Sequence, residues 1–130
     1  MKIPADFRYT ETDEWLKVDG KIITIGITDY AQNHLSDLVY CGLRAEKGAI
    51  VAKGDLIVEI DSVKASAEVN SPVSGKVLDI NQSIASTPEV INTDPYGNGW
   101  FYKIEITNPA DLEKLMSAED YEKYCETRGN

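Results

Sequence analysis

Cysteine, histidine and long apolar runs are scarce in this chain, and each scarcity excludes a class of protein. The two cysteines, Cys41 and Cys125, lie far apart and form no Cys-X-X-Cys pair, so neither a disulfide framework nor a redox motif is predicted. The single histidine, His34, has no partner cluster, which argues against a metal site and a catalytic triad. No apolar run approaches the ~20 residues of a membrane span.

Positive charge is also in short supply. The chain has 13 Lys and Arg residues against 22 Asp and Glu residues, and a net charge of −9. No basic stripe is available to neutralise phosphates, so nucleic acid is excluded as a partner. The acidity suits a carrier that docks on basic patches of larger enzymes, and it equally suits a protein that is merely kept soluble by its charge.

The length of 130 residues predicts one domain, residues 1–130. We also expect a monomer. Such a chain buries roughly two thirds of its unfolded surface, so it needs neither disulfides nor a metal to fold. The N-terminal segment has no apolar signal core and no Arg-rich transit pattern. This favours the bacterial cytoplasm and leaves a mature organellar form open.

Short strands at regular spacing predict a mainly β fold, a small sandwich or barrel with helices outside it. We expect strands at 21–28, 39–43, 56–61, 65–69, 76–81 and 100–107. Helices are predicted from a Thr28 or Asp29 cap to about Leu38, after Asn108, and from a Ser117 capping box to about Arg128. The long segment 82–99 is either functional or merely closes the barrel. Within these elements, Cys41 should be buried and Cys125 exposed.

Lys64 lies between two strand-like segments, and small polar residues surround it. This pattern predicts a lysine at the tip of a hairpin, with Asp61 on one side and Glu68 on the other. Most such lysines are simply solvated surface residues. Alternatively, a rigid exposed turn presents one lysine to an enzyme that modifies it.

Four motifs occur in one order along the chain: Gly-Ile-Thr-Asp-Tyr-Ala-Gln at 26–32, Asp-Ser-Val-Lys-Ala at 61–65, Ser-Pro-Val-Ser-Gly at 71–75 and Asp-Pro-Tyr-Gly-Asn-Gly-Trp at 94–100. Together they resemble the glycine cleavage H-protein family, and the resemblance runs from about Tyr9 to about Tyr124. It implies the barrel-sandwich hybrid, or flattened β-barrel, of lipoyl and biotinyl domains, with peripheral helices that include a C-terminal one.

The resemblance also implies a function. Lipoate would be attached to Lys64 by a lipoate ligase or lipoyl transferase. The loaded arm would carry an aminomethyl group from glycine decarboxylase to the aminomethyltransferase, and dihydrolipoamide dehydrogenase would restore the disulfide. The sequence shows no nucleophile with a base and no phosphate-binding loop, which fits a non-catalytic carrier.

By the same resemblance, Glu14, Thr12 and Glu68 should form a cleft that holds the loaded arm. Carboxylates suit this task because charge-assisted hydrogen bonds to an ammonium group are strong in a partly desolvated cleft. Asp13 departs from the family here, since a histidine usually precedes the glutamate.

Three further residues are assigned to lipoylation or to the geometry of the hairpin. Asp61, in place of the usual glutamate, should be read by the lipoylating enzyme. Gly48 and Gly75 should shape the turns, with a positive φ expected at Gly75.

Two alternatives remain open. The departures from the family leave room for a paralogue that relays lipoate to other proteins or acts as a scaffold. A biotin carrier is disfavoured, because Val63 and Ala65 flank Lys64 where a methionine would be expected.

Overall fold

Two antiparallel sheets make up most of residues 1–128, the part of the chain that the computed structural model describes. The strands are β1 Arg8–Tyr9, β2 Glu14–Asp19, β3 Ile22–Ile27, β4 Leu38–Leu43, β5 Ile50–Val51, β6 Leu56–Ser62, β7 Ser66–Asn70, β8 Gly75–Ile80 and β9 Tyr102–Ile106. One sheet has six strands in the order β1-β2-β3-β9-β8-β5, and the other has three in the order β4-β6-β7. The predicted mainly β fold is confirmed.

The core lies where the inner faces of the strands meet. On β3, Ile23, Ile25 and Ile27 are all buried, as expected for alternate positions on one face of a strand. They join Ile60 of β6 and Val77 of β8 in one cluster that draws on both sheets. Each such side chain contributes about 1.5–3 kcal/mol by burial, so this cluster is the main support of the fold.

The first helix, α1 (Asp29–Leu35), begins where its cap predicts. The Thr28 hydroxyl accepts a hydrogen bond from the Ala31 N–H at 3.2 Å. The helix ends three residues earlier than expected, because Ser36 takes a left-handed conformation with φ 66° and the chain then enters β4 at Leu38.

The later helices also begin at predicted caps. Asn108 caps a single 3₁₀ turn, Pro109–Leu112, and Ser117 caps α4, Ala118–Thr127. Helix α4 packs on β1, where the Tyr9 and Tyr121 rings stack with centroids 4.8 Å apart.

The two cysteines are both buried and free. The prediction for Cys41 is confirmed. That for Cys125 is wrong, because the inner face of α4 packs into an aromatic cluster with Tyr9, Trp15 and Tyr30, and Cys125 lies on that face.

The long segment is ordered by its own contacts. It contains two one-turn helices, α2 Ser83–Ser86 and α3 Val90–Thr93. The Trp15 indole N–H donates to the Pro95 carbonyl at 2.9 Å, and the Asn92 carboxamide accepts from the Leu38 N–H at 2.9 Å. The segment therefore holds β2 and the start of β4 in place. Gly26 belongs to the same arrangement, since a Cβ there would lie 2.6 Å from the Trp15 Nε1.

Candidate functional site

Lys64 lies at the tip of the β6–β7 hairpin, as the sequence predicts. The Ser62 N–H donates to the Ala65 carbonyl at 2.7 Å, which closes a tight turn with Val63 and Lys64 at its centre. The Ser62 hydroxyl oxygen also accepts from the N–H groups of Lys64 and Ala65, at 3.2 and 3.0 Å. The backbone of the turn is thus fixed, while the Lys64 side chain is exposed.

Asp61 supports the same hairpin from the strand. It pairs with Ser66 across β6 and β7, and its carboxylate accepts a hydrogen bond from the Ser66 hydroxyl at 2.6 Å. A second anchor comes from the residue just before β4, because the Val63 N–H donates to the Asp37 carbonyl at 3.0 Å. Both Asp61 and Asp37 are exposed, so two acidic residues border the turn that carries Lys64.

Gly75 does not shape this hairpin. It lies in β8 of the six-stranded sheet, and its φ is not positive. The predicted turn conformation is therefore wrong. Its role is close approach, since a Cβ would collide with the backbone carbonyl oxygen of Glu105 on β9. Gly48 does take a positive φ of 89°, but its N–H donates to Val77 of β8, in the other sheet from the lysine hairpin.

A cleft of about 440 Å³ opens between the start of β2, helix α1 and strand β7. It is lined by Thr12, Asp13, Glu14, Ile27, Tyr30, Ala31, His34, Leu35, Ile60, Ala67, Glu68, Val69 and Arg128. The cleft therefore contains the three residues that the resemblance assigns to the arm, Thr12, Glu14 and Glu68. Its walls mix carboxylates with apolar side chains, a combination that can hold an amine while limiting the access of water.

Glu14 is the buried acid of this cleft. Its Oε1 accepts hydrogen bonds from the hydroxyls of Thr12 and Thr10, at 2.7 and 2.8 Å. Burial raises the pKa of Glu14 to about 7, and the two hydroxyl donors reduce the increase. A carboxyl group with such a pKa changes charge near neutral pH, so the charge of the cleft does so too.

Glu68 occupies the opposite rim. It lies on β7, an edge strand, and faces Glu59 of β6 in the register of the sheet. Its side chain is exposed, and within residues 1–128 it makes no hydrogen bond to Thr12 or Glu14. Thr12 and Glu14 thus form one connected unit, whereas Glu68 borders the same cavity from a separate strand.

The residues that sequence reasoning missed are Arg128 and its partners. The Arg128 guanidinium donates to both carboxylate oxygens of Asp13, at 2.6 and 2.9 Å, and the Tyr121 hydroxyl donates to Asp13 at 2.7 Å. Asp13 itself has a left-handed φ of 72°. The guanidinium also stacks over the Tyr30 ring, with 4.4 Å to its centroid. Only the unusual aspartate before Glu14 signalled this pair in the sequence.

Among the described residues, no helix is long and apolar enough to cross a membrane, and no cluster of His, Cys, Asp and Glu could hold a metal ion.

Comparisons with known proteins agree with the geometry. The family model described as glycine cleavage H-protein matches residues 7–128. The glycine cleavage system H protein of Carboxydothermus hydrogenoformans is 46% identical over 127 residues, which are 98% of this chain and 97% of that protein. The mitochondrial glycine cleavage system H protein 2 of Arabidopsis thaliana is 43% identical over 121 residues, covering 93% of this chain and 77% of that one.

A solved structure extends the similarity to the fold. The crystal structure of a glycine cleavage system H protein from Mycobacterium marinum superimposes with a TM-score of 0.84 at 32% identity, covering 98% of this chain and all (100%) of that one. Fold and site together define a carrier with a flattened barrel-sandwich fold that presents one lysine on a rigid hairpin. The chain belongs to the glycine cleavage H-protein family, the lipoyl-bearing carriers of that system.

Proposed function

We propose that Lys64 is the lipoyl attachment site and that the whole chain acts as one non-catalytic carrier domain. A lipoate ligase or lipoyl transferase attaches the group. Glycine decarboxylase, the aminomethyltransferase and dihydrolipoamide dehydrogenase then use the carrier in turn. The observation that carries the proposal is the single lysine at the centre of a turn closed by the Ser62 backbone and hydroxyl, with a carboxylate-lined cleft in the same molecule.

The residues present fit lipoate. Amide formation needs an amine that a large enzyme can reach, and Lys64 is exposed on a turn whose backbone is already fixed. Little conformational entropy is therefore lost when the turn is held in an active site. When bound, lipoate supplies a dithiolane, a disulfide that can take up two electrons and carry a group on sulfur.

In the cleft, Glu14 is the group that pairs with the amine of the aminomethyl cargo. Its ionised carboxylate accepts charge-assisted hydrogen bonds from an ammonium group. Thr12 and Thr10 donate to the same oxygen and so fix the carboxylate before cargo arrives. The apolar side chains of Ile27 and Val69 line the cavity and reduce the access of water to the cargo.

Asp61 and Glu68 have separate roles in the proposal. Asp61 lies on the exposed hairpin near Lys64, where the attaching enzyme contacts and recognises it. Glu68 adds negative charge at the rim of the cleft and so favours an ammonium over a neutral cargo.

We further propose a monomer located in the cytoplasm of a bacterium. Size-exclusion chromatography with light scattering, and cell fractionation, test these two statements.

Intact mass after incubation with lipoate, ATP and a lipoate ligase tests the attachment. We expect one lipoyl adduct on the wild type and none on Lys64→Arg. Lys53→Arg, which changes another exposed lysine beside a turn, is the matched control and should be modified normally. An adduct on Lys64→Arg would contradict the assignment.

The lipoylated protein should then support the exchange of bicarbonate with the carboxyl carbon of glycine by glycine decarboxylase. A fully lipoylated protein that supports no exchange would contradict a carrier role in glycine cleavage and would indicate lipoate relay.

A further inference from the structure

An irregularity in β4 turns two successive side chains outward beside the lysine hairpin. Leu38 pairs with Ser62 and Tyr40 pairs with Asp61, so Val39 is an extra residue opposite the shorter stretch of β6. In a regular strand one of two neighbours would face the core. Here Val39 is 59% exposed and Tyr40 is 42% exposed, whereas Leu38 is buried.

A third apolar side chain lies in the turn itself. Val63 immediately precedes Lys64 and is 66% exposed. Its N–H donates to the Asp37 carbonyl at 3.0 Å, which holds the turn against the residue that precedes β4. We call Val39, Tyr40 and Val63 the turn patch. Arg44 bounds it at the far end, since it donates to the Tyr40 hydroxyl at 3.0 Å.

Protection of the sheet edge does not explain the patch. β4 is an edge strand, and a bulge there does discourage pairing with another chain. Polar or charged residues would serve that purpose better than two exposed apolar ones. Bulges also re-aim side chains next to functional sites, and this one lies directly beside Lys64.

We propose that the turn patch is the docking surface for the enzyme that forms the amide bond at Lys64, an inference that rests on the proposed lipoate attachment. That enzyme must bring its catalytic groups to the Lys64 Nζ, so it must contact the side chains that flank the turn. Enzymes that act on the far end of a long attached arm have no such need. The attaching enzyme is therefore the partner for which apolar contacts beside the turn contribute binding energy.

The charges around the patch define the surface of that partner. Asp37, whose carbonyl accepts from the Val63 N–H, and Asp61, near the end of β6, are both exposed, and the whole chain carries a net charge of −9. The complementary surface is an apolar socket for Val63 and Val39 with basic residues at its edge.

The test measures lipoate attachment to the double variant Val39→Ser, Val63→Ser with purified lipoate–protein ligase, lipoate and ATP, using intact mass. Loss of two apolar contacts should raise the KM for the carrier about tenfold or more and leave kcat nearly unchanged. Isothermal titration of the unmodified protein with the ligase should show the same weakening of Kd. The matched control is Ile50→Ser, because Ile50 is 73% exposed on β5 of the other sheet.

The outcomes separate the alternatives. An unchanged KM in the double variant, or an equal rise in Ile50→Ser, would contradict the proposal that the turn patch is the docking surface. Normal attachment combined with a raised KM of glycine decarboxylase for the lipoylated variant would assign the patch to the decarboxylase and also overturn the proposal. Failure of the wild type to accept lipoate would overturn the attachment itself and the patch with it. The milder pair Val39→Thr, Val63→Thr, which preserves side-chain shape, should show a smaller rise in KM even if the serine variant folds poorly.

Discussion

At the scale of single residues, ionisation of the buried Glu14 carboxyl group lowers stability, although the proposed function requires the ionised form. Its pKa is raised from 4.5 to about 7 because it is buried at the base of the cleft. Below about pH 4.5 the carboxyl is protonated in both the folded and the unfolded chain, so burial carries no ionisation cost. As the pH rises from about 4.5 to about 7, the unfolded chain ionises first and the folded state loses relative stability. Above pH 7 the full cost remains, on the order of 3 kcal/mol as an upper bound.

Glu14→Gln should therefore stabilise the protein, and only at higher pH. The amide keeps the shape of the side chain and can still accept from Thr10 and Thr12. We expect the free energy of unfolding to rise by about 1–3 kcal/mol at pH 8 and to change little at pH 4.5. Urea unfolding at the two pH values measures this. The same gain at both pH values would show that ionisation is not its cause.

The same substitution should expose the cargo. Without a carboxylate the amine loses its partner, so release of the aminomethyl group by water should quicken several-fold in Glu14→Ala and Glu14→Gln. In the wild type the protection should weaken as the pH falls through about 7 and Glu14 is protonated. Asp13, Tyr30, His34, Glu68 and Arg128 are the other titratable groups that line the cleft.

The measurement is the lifetime of the loaded form of the wild type relative to Glu14→Gln across pH 6–8 (about one unit either side of the Glu14 pKa). Lipoate attachment to Lys64 should be unaffected, because it depends on the hairpin. A lifetime ratio close to one at every pH would remove Glu14 from the site.

At the scale of elements, α4 is fastened to the start of β2 by one ion pair. Arg128, at the C-terminal end of the helix, holds both oxygens of Asp13 and stacks on Tyr30 and Tyr124. Both side chains of the pair are largely shielded from solvent. Bidentate geometry and partial burial make this pair stronger than an ordinary surface ion pair.

Substitutions of Asp13 should lower the stability of the protein by amounts that follow a definite order. Asp13→Asn keeps a residue that tolerates positive φ and should cost about 1–2 kcal/mol of stability. Asp13→Ala adds the strain of a left-handed alanine and should cost about 1 kcal/mol more. Thermal unfolding measures the order, with exposed Glu122→Ala on α4 as the control. Equal losses for Asn and Ala would show that backbone strain at Asp13 is unimportant.

Gly75 also acts through an element, since it sets the spacing between β8 and β9. A Cβ there meets the Glu105 carbonyl oxygen, which is backbone and cannot move aside. Gly75→Ala should therefore cost about 1–3 kcal/mol of stability, while lipoylation of the folded protein stays near the wild-type rate. Gly48→Ala, where the added Cβ meets open space and only the positive φ is strained, should cost about 1 kcal/mol. A Gly75→Ala protein of normal stability but poor lipoylation would indicate that Gly75 contributes to the lysine site after all.

These elements show what the sequence can predict. The strands at 56–61 and 65–69, the turn at Lys64 and the caps at Thr28 and Ser117 follow from local patterns, and the structure has them. Contacts between distant segments could not be read in the same way. The burial of Cys125 depends on how α4 packs. The partner of Asp13 is 115 residues away.

At the scale of the whole molecule, the topology separates two tasks. The three-stranded sheet carries the lysine turn at one end of the β6–β7 hairpin. The start of β2, in the six-stranded sheet, carries Glu14 and faces β7 across the cleft. In the proposed function, attachment and protection of the arm thus depend on different sheets. For this reason variants of the hairpin and variants of Glu14 should affect different measurements.

The net charge of −9 also belongs to the whole molecule, and it should act on partner encounter rather than on the chemistry. If charge steers docking, the KM of glycine decarboxylase for the lipoylated carrier should rise several-fold as the salt concentration goes from about 20 mM to about 200 mM, because the Debye length falls below ~10 Å. The kcat should change much less. For lipoate–protein ligase, which by our proposal docks at the lysine turn, Asp37→Lys beside that turn should raise KM more than Glu122→Lys on the outer face of α4, although both change the net charge equally. If KM is insensitive to salt and equal in the two variants, the acidity serves only to keep the protein soluble.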